Sequence, residues 1–172
     1  MKRKVITAVI IIACFLLQTT VFDNLSFAGI KPNMMIVVTA TFGFMRGQKT
    51  GMIVGFICGF LMDYVSGGIV GLSIPLYTVI GYVNGIFMPI FYDDDITLPL
   101  GLIAGSDVLY SMVVYVVGFM LKGDFYFGYY ILHIILPELI YTILVTLLLY
   151  QIILRINKHL ITKEQRSASR FV

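Results

Sequence analysis

Four ionisable side chains, Asp63, Asp107, His133 and Glu138, stand inside otherwise apolar runs. Carboxylates and an imidazole can relay protons, act as general acid and base, or ligate a metal. Each of those roles makes demands on spacing. His133 and Glu138 lie five residues apart, on different faces of a helix, which is poor spacing for a ligand pair. Cys14 and Cys58 occur singly, without a CxxC or Cys/His grouping, and read as small buried hydrophobes. The chain has no HExxH, GxSxG, Walker or GxGxxG pattern. The expectation is a protein without catalytic residues, metal or cofactor, and the Asp93-Asp94-Asp95 triplet reads as a solvated loop.

A charge at the bilayer centre costs from about 3 to more than 10 kcal/mol, so the deep groups must be protonated, solvated or paired. No Lys or Arg lies at their depth in the sequence. The available partners are His133, Asn84, Ser106 and tyrosines, with Tyr110 three residues after Asp107 and Tyr141 three after Glu138. Three roles stay open for this set: hydrogen bonding between helices, an internal ligand or ion site, and contact with a partner's helix.

The elements that must hold these groups are membrane helices. Of the 172 residues, 59% are hydrophobic and 12% charged, with a mean hydropathy of +0.97. An ordinary soluble domain has about 45–50% apolar and about 25% charged residues. Six apolar segments can be read, at 5–22, 33–46, 50–65, 70–90, 97–121 and 129–154. The second and third are short for a hydrocarbon core that needs about 20 residues per helix. The first is too long for a signal-peptide core and is expected to stay as a helix. Pro32-Asn33, Arg46–Lys49, Ser66–Gly68, Asp93–Asp95 and Lys122–Asp124 punctuate the runs. Pro137 should kink the last helix and free a carbonyl one turn earlier. The expected organisation is one polytopic domain over 1–155, all-α with six transmembrane helices, then a basic tail over 156–172.

Counting Lys and Arg sets the orientation. With the N-terminus inside, the cytoplasmic side holds Lys2, Arg3, Lys4, Arg46, Lys49, Arg155, Lys158, Lys163, Arg166 and Arg170, against Lys31 and Lys122 outside. Both termini are then cytoplasmic. This distribution suits an anionic membrane face and argues against a nucleic-acid partner.

The third segment carries a second pattern. In "GMIVGFICGFLMD", Gly51, Gly55, Gly59 and Asp63 recur every four residues, on one helix face. Small residues let helix backbones approach closely in lipid, where dispersion contacts replace the hydrophobic effect. Gly81 and Gly85, and Gly101 and Gly105, are candidate counterparts. The face serves either packing within the chain or as a groove for a partner's transmembrane helix.

Residues 29 to 85 resemble the rod shape-determining MreD family. The matching features are a Gly-x-x-Pro start, a short apolar helix, the Arg46-Gly47 turn and the glycine row ending in Asp63. Ser66-Gly67-Gly68 with Gly71 and Tyr77, and Gly81-Tyr82, follow in order; "FLLQTTVF" with Gln18 precedes them. Asn33 stands where the family pattern leads one to expect Asp. The resemblance implies a non-enzymatic scaffold in the bacterial cytoplasmic membrane, working in lateral peptidoglycan synthesis. Its implied partners are the transmembrane helix of MreC, the MreB filament, and the glycosyltransferase and transpeptidase of elongation. It also implies a fold like the substrate-binding S component of energy-coupling-factor transporters, so a vitamin-like small-molecule binder is the alternative. The basic residues Arg46, Lys49, Arg155 and Lys158 are then expected to face filament or anionic lipid.

Overall fold

Apolar runs broken by Pro, Gly and Asn fold into six helices in this computed structural model, which describes residues 2–22, 30–66, 71–90, 96–122 and 127–168. Helix α1 spans Lys2–Leu16 and continues through a π-helical turn, Leu17–Val21. Helices α2, Met34–Arg46, and α3, Gln48–Ser66, are separated by Gly47 alone. Helix α4 is Ser73–Ile86, closed by a 3-10 turn at Met88–Ile90, and α5 is Thr97–Lys122. Helix α6 starts at Phe127–Tyr130, passes through a π-helical stretch, Ile131–Ile135, and runs on as Leu136–Ala168. The Asp93–Asp95 triplet, Gly67-Gly68 and Arg170 lie outside the described residues.

Among the described residues, three stretches are long and apolar enough to cross a membrane: Arg3–Val21, Thr97–Gly118 and Gly128–His159. Helix α2 is not. At 1.5 Å per residue its 13 residues reach about 20 Å, against a core of about 30 Å. Every residue from Met34 to Met45 is nevertheless buried. The other five helices surround it, so it never meets lipid along its length and a full span is not demanded of it. A helix apolar on all sides belongs in such a centre.

Local chemistry fixes both ends of α2. Asn33 caps its start by accepting the Ile36 N–H at 3.3 Å. Gly47 ends it at φ +86°, a left-handed conformation that glycine adopts without steric cost, and donates to the Gly43 carbonyl at 2.7 Å. This positive φ reverses the chain within one residue and lays α3 back along α2. Pro137 lies in the first turn of the stretch Leu136–Ala168 of α6. It lacks the N–H that would bond the carbonyl four residues earlier, and the helix widens into the π-helical stretch just before it.

One boundary differs from the sequence reading. The chain does not leave helical form near Arg155; α6 continues to Ala168. Residues 156–168 contain neither Pro nor Gly and include several strong helix formers.

Candidate functional site

The glycine row of α3 lies against α4, backbone to backbone. A Cβ added to Gly59 would come within 2.7 Å of Ile74 Cα, and one on Gly55 within 2.7 Å of the Tyr77 carbonyl carbon. On Gly51 it would reach the Gly81 carbonyl carbon at 2.8 Å. The fit is mutual, since a Cβ on Gly85 would sit 2.5 Å from Gln48 Cα. Gly43 brings α2 into the same contact, since a Cβ added there would come within 2.8 Å of the Gly81 carbonyl oxygen. The obstacles are main-chain atoms, which cannot swing aside as a side chain could. The chain's own α4 therefore fills this face, and no groove is left there for another protein's helix.

Gly101 and Gly105 are different. A Cβ at either would meet nothing within 4 Å, and both are exposed on α5. They are not counterparts of the α3 row. Leu109, Met112 and Val116 continue their stripe at helical spacing, 51, 38 and 48% exposed.

Asp63, at the end of the glycine row, caps α4. Its two carboxylate oxygens accept the N–H groups of Ser73 at 3.0 Å and Ile74 at 3.2 Å. A carboxylate satisfies orphan donors there and meets the positive end of the helix dipole. The spacing that puts backbones together thus also brings the capping group to the next helix.

A polar network runs inward from this point. Ser73 Oγ lies 3.3 Å from the Tyr110 hydroxyl, and the Tyr110 ring meets Tyr77 edge-on at 5.2 Å. The fully buried Tyr77 donates to Asn33 Oδ1 at 2.7 Å, and the Asn33 N–H donates to Thr142 Oγ1 at 3.1 Å. Asp107, which is 1% exposed, lies beside Thr142. Glu138 accepts from Ser111 at 3.3 Å, joining α5 to α6. Asn84 donates to Ser106 Oγ and to the Ile80 carbonyl, both at 2.8 Å. Two buried acceptors, Asp107 Oδ1 and Asn84 Oδ1, have no donor among the described residues.

His133 takes no part in this network. It is exposed, stacked on Tyr129 at 4.3 Å, with Nδ1 3.2 Å from the Tyr129 carbonyl oxygen. Tyr141 packs on Phe22 instead of serving Glu138. Among the described residues no group of three His, Cys, Asp or Glu could hold a metal ion.

At the opposite end Arg46 joins three helices. Its Nε donates to Asn157 Oδ1 at 3.0 Å and an Nη1 donates to Thr7 Oγ1 at 2.6 Å, with the guanidinium 4.7 Å from the Phe42 ring centre. It is half-buried and ties α1 and α6 to the end of α2. Lys49, Arg155 and Lys158 are exposed at the same end.

Sequence reasoning missed the Asn33–Tyr77–Thr142 junction and the Arg46 clasp. Asn33 was legible as a helix start, but its second bond, to Tyr77, spans 44 residues. Gln18 gave a signal through its position in an apolar run. Its Oε1 accepts the Met35 N–H at 3.1 Å, satisfying another orphan donor at the start of α2.

Compared with known proteins, residues 2–159 match one family model, described as rod shape-determining protein MreD. No curated protein and no solved structure matches the chain.

Proposed function

The chain belongs to the MreD family of rod shape-determining proteins, and from that premise we propose that it is a non-enzymatic membrane scaffold of the bacterial cell-elongation machinery. It sits in the cytoplasmic membrane as six packed helices with both termini inside. There it holds MreC and links it to the MreB filament and the cell-wall synthases.

One observation carries this reading: four of the polar groups, at helix ends and crossings, join one helix to another. Asp63 joins α3 to α4, Glu138 joins α6 to α5, Asn33 joins the start of α2 to α4 and α6, and Arg46 joins α2 to α1 and α6. Such an interior preserves a shape, and a scaffold acts through the outer faces of that shape. The α3 glycine face is used internally. The open stripe of α5, with Gly101 and Gly105 at one end, remains for a partner's transmembrane helix, because small residues there permit close approach. The exposed Lys49, Arg155 and Lys158 lie toward the filament.

Site-specific photocrosslinking in intact cells tests the docking face. A crosslinker at Leu109 or Met112 is expected to capture MreC, and one at Phe56, exposed on α3, is not. Capture from Phe56 with none from α5 would overturn the assignment. The second reading, a small-molecule binder of S-component type, draws on the orphan acceptors of Asp107 and Asn84. A vitamin that raises the melting temperature of the purified protein, and fails to do so after Asp107→Ala, would favour it.

A further inference from the structure

Helices α1 and α3 both pack on α2, and a crevice of about 790 Å³ lies between them. A volume of about 300–1,000 Å³ is typical of small-molecule sites. Its lining is divided by chemistry. Ala8, Ile11, Ile53, Val54 and Ile57 form the apolar part. Arg3, Lys4 and Arg46 gather at the other end, with the hydroxyls of Thr7 and Thr50. Three cations and no carboxylate are present among the described lining residues. Both α1 and α3 begin at this end, so two helix N-termini add their positive dipole ends. A second cavity, of about 330 Å³, adjoins it through the shared Arg46 and Met88 and adds Lys49 to the rim.

We propose that this crevice binds an anionic membrane phospholipid. The phosphate lies among Arg3, Lys4 and Arg46, and an acyl chain lies along Ile11, Val54 and Ile57. Charge and apolarity are segregated as they are in such a lipid. Val9 and Phe56, on the flanking helices, are 59 and 53% exposed, so the apolar leg opens toward the surrounding hydrocarbon and not into water. Arg46 is held at the crevice by its bonds to Asn157 and Thr7. A lipid seated here would fill the gap between α1 and α3 and brace the two helices. The inference needs only a membrane-embedded chain and stands apart from the scaffold reading.

Native mass spectrometry of the full-length protein, titrated with phosphatidylglycerol or phosphatidylcholine, tests it. The wild type is expected to retain phosphatidylglycerol in preference. Arg3→Gln with Lys4→Gln should weaken that retention by about tenfold or more, since each basic residue near a membrane surface adds about 1 kcal/mol. Ala8→Trp, which fills the apolar leg and leaves every cation in place, should weaken it as well. The melting temperature without lipid shows that each variant is folded. Equal retention of the two lipids by the wild type, or unchanged phosphatidylglycerol retention in both folded variants, would overturn the proposal.

Discussion

At the scale of single residues, the polar groups of this chain act at helix ends and crossings. Asp63 illustrates how much of that can be read in advance. Its place at the end of the glycine row was plain in the sequence, but the N–H groups it accepts belong to Ser73 and Ile74, beyond a turn. Loss of such a cap costs about 1–2 kcal/mol. Asp63→Ala is therefore expected to lower the thermal midpoint in detergent, and Asp63→Asn, which keeps an acceptor, to lower it less. Arg46 was legible as part of a turn and as a basic residue of the cytoplasmic side, but its clasp was not, because Thr7 and Asn157 are distant in the chain. Hydrogen bonds to a charged group contribute about 1.5–3 kcal/mol, so Arg46→Ala should destabilise by about that much. Arg46→Lys should not restore it, because an ammonium cannot reproduce the two directed bonds of the guanidinium fork. Equal midpoints for wild type and Arg46→Ala would remove the clasp from this account.

At the scale of elements, two GxxxG patterns that look alike in the sequence have different surroundings. Gly55 meets the α4 backbone, and Gly105 meets nothing within 4 Å. Their spacing is the same, and only the neighbour's position separates them, which no local pattern encodes. A leucine at position 55 would have to displace main chain. Overpacking of this kind costs about 1–3 kcal/mol or more. Gly55→Leu should thus reduce thermal stability strongly, while Gly105→Leu should leave it within about 0.5 kcal/mol of wild type and reduce co-purification of MreC. The reverse order of stabilities would mean that α3 and α4 do not pack as described. Helix existence was legible from the apolar runs, and a local disturbance of the last helix from Pro137, though not its π-helical form. The continuation of α6 to Ala168 was not, because falling hydropathy resembles a helix end although the backbone propensity persists.

At the scale of the whole molecule, short α2 is enclosed by the remaining helices and fastened at both ends, by Asn33 and Gln18 at one and Arg46 at the other. Arg46 gathers Thr7 of α1 and Asn157 of α6 at the end of α2, beside the exposed Lys49. Cysteines introduced at Lys49 and Lys158 are expected to resist an impermeant thiol reagent in intact cells and to react once the membrane is opened; labelling of either from outside would reverse the proposed orientation. The central claim is that this chain holds other proteins through its shape and performs no chemistry with its buried acids. Its most direct test is complementation with an Asp107→Asn and Glu138→Gln double variant in cells whose rod shape depends on this protein, alongside immunoblotting and thermal stability. Rod-shaped cells are expected, because the neutral amides keep the size of both acids and an acceptor for Ser111. Round cells containing a folded variant at wild-type level would contradict it.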